Sequence, residues 1–167
     1  YGNNHTVVAA SLNNIGSVYY KLGNYGEALK QYTLALAIWQ DVYGDLHPDV
    51  ARSLNNIGNV YNKQGLYSEA LKKYEEALVV KRGLYGNIHQ EIVTALNNIA
   101  NMHDNMEHYT EALTFYQEAV VVLKALSGNQ DTILATIINN IGNVYNKLGL
   151  YSEAETHYRD SLVIKKE

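Results

Sequence analysis

The chain is one unit of 42 residues written four times over 167 positions. Copies starting at Tyr1, Tyr43, Tyr85 and Ser127 carry SLNNIGSVYYKLGNYGEAL, SLNNIGNVYNKQGLYSEAL, ALNNIANMHDNMEHYTEAL and IINNIGNVYNKLGLYSEAE in register without a gap. The fourth copy lacks only its final residue. A fixed period of about 20–50 residues marks a stacked array, because a unit this small cannot bury its apolar face alone and does so against its neighbour. Function therefore has to be argued per repeat.

Within the first copy, Val8, Leu12, Ile15, Gly16, Tyr19 and Leu22 recur at spacings of three and four, which predicts a helix over about residues 6–22. Gly23 breaks it, and Tyr25, Ala28, Leu29, Tyr32, Ala35, Leu36, Trp39 and Val42 form a second stripe of the same period. Two antiparallel helices per repeat, eight in all, are expected. The junctions agree. Gly44, Gly86 and Gly128 stand between repeats, and His47-Pro48-Asp49 places a proline and then an acid at a helix start, where the missing N–H costs nothing and the dipole favours negative charge. Small residues at Gly16, Gly58, Ala100 and Gly142, and at Ala28, Ala70, Ala112 and Ala154, allow close approach of paired helices.

Leu12, Ile15, Gly16, Tyr19, Gly23, Tyr25, Ala28, Tyr32 and Ala35 fall at the spacings of the tetratricopeptide repeat signature, which the whole chain resembles. The common form has about 34 residues. The longer unit here, with a lead-in running from Tyr43 to Ile57, is similar to the repeats of kinesin light chains. The resemblance implies an all-α fold, a right-handed α-solenoid of four helix-turn-helix repeats at 1–42, 43–84, 85–126 and 127–167, whose first helices line a concave groove. It also implies a non-enzymatic protein-interaction module that binds an extended peptide as the adaptor or scaffold part of a larger protein, and a cytoplasmic setting. The sequence departs from the pattern at His103, where a tyrosine is expected, at Glu107 in place of glycine, and at Ser161 in place of alanine.

Composition narrows the function classes. The net charge of −4 divides by repeat as 0, +1, −4 and −1, with no basic stripe, so a phosphate backbone has nothing to hold. Apolar runs such as Leu34–Trp39 and Ala119–Leu123 are far shorter than the roughly 18 residues that cross a bilayer. Absence of cysteine excludes disulfides and thiolate metal sites. One proline and 12 glycines, spaced by the repeat, leave no linker. The start at Tyr1 and the shortened last repeat are expected of a segment of a longer protein.

The feature that packing does not explain is a polar stripe on each first helix: Asn13, Ser17, Tyr20; Asn55, Asn59, Asn62; Asn97, Asn101, Asp104; and Asn139, Asn143, Asn146. Asparagine is a mediocre helix former, so its recurrence needs another cause. A carboxamide offers donors and an acceptor, which suits the main chain of an extended peptide. The stripe is thus the candidate site, and alanine in place of Asn13, Asn55, Asn97 and Asn139 is expected to leave the melting temperature equal or higher. The second series, Asn14, Asn56, Asn98 and Asn140, is assigned to ties between neighbouring helices, since buried amides need partners.

Lys21, Lys63 and Lys147 follow the stripe, and Arg52 precedes Asn55 by three residues; against them stands Asp104. The face is therefore expected to be locally basic and to favour a ligand with some acidic character. Of 15 tyrosines only Tyr20 lies on the stripe; the others fall on core or junction positions. His5, His47 and His89 stand at equivalent junctions and orient helix starts. His103, Asp104, Glu107 and His108 fit neither HExxH nor HxxEH, so no metal and no cofactor are assigned. No catalytic constellation emerges. The alternative to peptide binding is a structural spacer that self-associates end to end through repeat 1 and repeat 4, where Glu155, Ser161 and Lys165 partly adapt the last helix to exposure.

Overall fold

A computed structural model describes residues 2–126 and 131–164, with side chains from His5 onward. Eight helices occur among the described residues, and no strand: α1 Gly2–Lys21, α2 Tyr25–Tyr43, α3 Pro48–Lys63, α4 Tyr67–Tyr85, α5 Gln90–Asn105, α6 Tyr109–Ala125, α7 Asp131–Lys147 and α8 Tyr151–Ile164. They form two compact units, Tyr1–Leu84 and Tyr85–Glu167, each holding two of the 42-residue repeats. Gly128 and Lys165 lie outside the described residues.

Each break between first and second helix uses a left-handed residue, with Gly23 at φ 75°, Gly65 at 74° and Gly149 at 75°. Repeat 3 puts Glu107 there at φ 64°. A side chain in that region costs about 1–2 kcal/mol, so the departure noted in the sequence is a locally strained one. At the junctions, His47 and His89 cap α3 and α5: each Nδ1 accepts from the backbone N–H two residues on, at 3.2 Å from Asp49 and 3.1 Å from Glu91. Each ring stacks on the tyrosine four residues before it, at 4.0 Å on Tyr43 and 4.3 Å on Tyr85. His5 has no such role, because α1 already runs through it.

Packing of the two helices within a repeat turns on one contact. A Cβ at Gly16, Gly58 or Gly142 would lie 2.8, 2.7 or 2.8 Å from the ring of Tyr32, Tyr74 or Tyr158, so the missing side chain is what lets the aromatic ring lie on the helix backbone. Between repeats, α2 packs on α3 through Ala35, Trp39, Val50 and Leu54 in one cluster, and through Ala28, Tyr32, Ile57 and Val60 in another. The matching face of α1 is open: Ile15 is 45% exposed where Ile57 is 3%.

Two assignments from the sequence need correction. Ser161 is not adapted to exposure; it is buried, and its hydroxyl donates to the Ala135 carbonyl at 2.8 Å, which removes the cost of placing it there. Tyr151, placed in the core by its period, is 70% exposed although Tyr25, Tyr67 and Tyr109 at the same position are half-buried. His103 does pack as its position implies, stacked on Phe115 at 5.3 Å.

Replacing Glu107 by glycine should stabilise the protein by about 1 kcal/mol, the strain relieved less the added freedom of the unfolded chain. Urea denaturation checks this, and an unchanged or lowered midpoint would show that Glu107 is not strained.

Candidate functional site

In repeats 1, 2 and 4 the polar stripe is built on the tyrosine–glycine contact, and repeat 3 has Ala100 in the glycine position. With its ring laid across the Gly58 backbone, Tyr74 donates its hydroxyl hydrogen to Asn59 Oδ1 at 2.7 Å. Tyr116 donates to Asn101, and Tyr158 to Asn143 at 2.9 Å. In repeat 1 the pair is Tyr32 and Ser17. With the phenol hydrogen on the carboxamide oxygen, each of these side-chain amides keeps both of its N–H hydrogens for another acceptor. The Nδ2 hydrogens of Asn59, Asn101 and Asn143 find no acceptor among the described residues. The face thus presents oriented donors.

The division of labour between the two asparagine series differs from the one expected. Asn56 Nδ2 donates to Asn13 Oδ1 at 2.9 Å, and Asn140 Nδ2 donates to Asn97 Oδ1 at 3.5 Å. Asn56 and Asn140 of the second series tie successive first helices as foreseen, with the first series as their acceptor, whereas Asn14 is exposed. Asn13 is only 8% exposed. Removing it strands the Asn56 donor, so a loss of stability replaces the neutral or positive effect expected from helix propensity alone. Asn139 is half-buried and Asn146 exposed, and neither side chain forms a hydrogen bond among the described residues. Asn62 bonds the Tyr74 hydroxyl beside Asn59, and Asn55 is half-buried.

Charge is distributed unevenly. In the first unit, Ser17, Tyr20, Lys21 and Asn59 gather with Tyr32 and Asn56 around an open cleft of about 220 Å³. Arg52 is paired with Asp49 one turn before it. Lys21 and Lys63 have no ion pair among the described residues. In the second unit, Lys147 Nζ lies 2.7 Å from Asp104 Oδ2, and the lysine position of repeat 3 is Asn105. The locally basic character expected for the whole stripe is therefore confined to the first unit. Among the described residues no group of three His, Asp or Glu could hold a metal ion. No described helix is long and apolar enough to cross a membrane.

Burial sets the protonation of the donors. It pushes the Tyr74 phenol up to about 12 against a small opposing effect of the Asn62 hydrogen bond, and pushes Tyr116 higher still, with the Asp104 charge adding to it. Tyr32 and Tyr20 are also raised, chiefly by burial. The hydroxyls accordingly remain donors well into the alkaline range. What the sequence did not reveal is that these core tyrosines serve the stripe. The signal was present: Asn59–Tyr74, Asn101–Tyr116 and Asn143–Tyr158 each stand 15 residues apart.

With this geometry the comparisons with known proteins agree. The tetratricopeptide repeat model matches residues 7–82 and 91–167, and the chain belongs to that family. Tetratricopeptide repeats mediate protein–protein interaction. Its fold is similar to that of BtubC (BKLC) from P. vanneervenii, at 21% identity and a TM-score of 0.88 over 95% of this chain. The match spans 63% of that protein's length. A Podosopora anserina protein assigned to the kinesin light chains, with nearly identical repeats, is similar at 15% identity and a TM-score of 0.81, over 97% of this chain and 76% of its own. The apo form of RapI is similar at 18% identity and a TM-score of 0.83, over 95% of this chain and 56% of that one. A comparison with curated proteins returned no match.

The raised tyrosines give a pH dependence. The unfolded phenol titrates near 10, so the stability held by Tyr74 is fully present below about pH 10 and is lost as pH rises through about 12. Denaturation between pH 8 and 12 should show a flat region and then a decline, and Tyr74→Phe should make the decline shallower. An equally steep decline in that variant would show that Tyr74 is not the titrating group.

Proposed function

We propose that in each unit the first helices bind an extended peptide segment, its main-chain carbonyls accepting from the amide of Asn59 in the first unit and from those of Asn101 and Asn143 in the second, and that the chain acts as the adaptor or scaffold portion of its protein, without catalysis. The observation that carries this reading is the set of tyrosine hydroxyls that hold three carboxamides with their N–H groups outward. A preorganised donor binds better than one that must be ordered on association. Main-chain recognition tolerates many side chains, and selectivity comes from the flanking groups: Lys21 and Lys63 draw an acidic segment to the first unit, while the Asp104–Lys147 pair leaves the stripe of the second unit without net charge. The remaining residues of the stripe are Tyr20, Asn55 and Asn62 in the first unit and Asn139 and Asn146 in the second, and Asn13 and Asn97 act by holding their neighbours in place.

The test is a peptide selected from a displayed random library and measured by calorimetry. Alanine at Asn59, Asn101 or Asn143 should each weaken it by about 0.5–1.5 kcal/mol. Glutamine at both Lys21 and Lys63 should weaken an acidic peptide about three- to ten-fold while leaving its uncharged analogue unchanged. Selected peptides that bind all these variants with full affinity would overturn the proposal.

The open face of α1 supports a second reading, a spacer that self-associates end to end. Light scattering over a concentration series separates the two. Growth of the particle that Ile15→Lys abolishes favours the spacer, and a monomer at all concentrations removes it.

A further inference from the structure

The first helices of the second unit enclose another cleft, of about 210 Å³, at their N-terminal ends. Val93, Thr94 and Asn97 of α5 face Ile133, Thr136 and Ile137 of α7 across it, and no charged residue lines it. Two of its threonines have turned their hydroxyl hydrogens onto their own helices: Thr94 donates to the Gln90 carbonyl at 3.2 Å, and Thr136 to the Thr132 carbonyl at 2.8 Å. Neither hydroxyl hydrogen is left to greet a polar ligand; the lining also holds Thr132 and Gln90, and the buried Gln90 Oε1, which has no partner among the described residues, is left to accept from a main-chain N–H beside the seated side chain. Ile133 is 37% exposed there.

The cleft is not a by-product of the repeat. Two repeats earlier, between α1 and α3 of the first unit, the matching positions are Ala9, Ala10, Asp49, Arg52 and Ser53, and the Arg52–Asp49 ion pair stands where Thr136 and Ile133 stand in the second unit. Only repeats 3 and 4 combine three aliphatic side chains with uncharged neighbours at this place. Asn97 borders both the cleft and the amide row, so the two are continuous on α5.

We propose that this cleft is a specificity site for one aliphatic side chain, of leucine, isoleucine or valine, carried by the peptide whose main chain lies along the amide row. The proposal rests on the peptide-binding reading given above. A charged side chain is rejected because it would lose water and meet no counter-charge. An aliphatic one gains the transfer free energy of its buried surface, enough for an order of magnitude in affinity.

The probes are blocked nonapeptides of glycine and serine with a single central leucine or a single central aspartate, titrated into the full chain with Ile and Val methyls and side-chain amides observed by NMR. The leucine peptide should shift the methyl signals of Val93, Ile133 and Ile137 and bind at least ten-fold more tightly than the aspartate peptide. Thr136→Arg, which restores the residue that repeat 2 carries at this exposed position, should abolish those shifts and the preference. Rescue of the preference by Thr136→Val would exclude a folding defect. If the side-chain amides of Asn101 and Asn143 respond to both peptides while the three methyl sets stay silent, the cleft proposal fails and the peptide reading stands. Silent amides with responsive methyls support the cleft and overturn main-chain recognition. Silence in both overturns both.

Discussion

A tyrosine ring resting on a glycine is the contact from which the rest follows. Side chains at Gly16, Gly58 and Gly142 would collide with Tyr32, Tyr74 and Tyr158, so glycine sets the distance between paired helices and the ring sets their register. The same placement brings the phenol to the edge of the first helix, where it meets Ser17, Asn59 or Asn143. Repeat 3 keeps the bond from Tyr116 to Asn101 with Ala100 in the glycine position, so the hydroxyl-to-amide link does not itself require glycine. Core packing and the polar face are thus one arrangement, and a residue that looks purely structural decides which atoms of the face are offered to a ligand.

Much of the fold was legible in the sequence because it depends on spacing. The eight helices, the glycine breaks and the histidine at each described junction follow from a period that four copies repeat. The failures occurred where identity within a copy outweighed the period. Ser161 reads as a concession to solvent, yet it is buried because a carbonyl happens to lie within reach of its hydroxyl. Tyr151 reads as core, yet it is exposed, because position in a repeat fixes which way a residue points and not what covers it.

The candidate site was legible in its residues and not in their bonding. The period placed the asparagines on one face, but which amide atom is engaged depends on partners 15 or 43 residues away, and neither separation belongs to helical periodicity. Asn13 was read from its poor helix propensity as available for a ligand, whereas its oxygen is already used by Asn56. Charge behaved in the same way. Four cations counted along the stripe suggest a uniformly basic surface, but Asp49 and Asp104 each neutralise one, leaving the stripe cationic in the first unit and without net charge in the second.

The central claim is that the tyrosine hydroxyl acts on a ligand through the asparagine it orients. A double-mutant cycle on Tyr74 and Asn59, read as affinity for a selected peptide, tests it most directly. Tyr74→Phe should weaken binding even though the hydroxyl is directed at Asn59, and combining it with Asn59→Ala should cost no more than Asn59→Ala alone. Full affinity in Tyr74→Phe, or losses that simply add in the double variant, would contradict it.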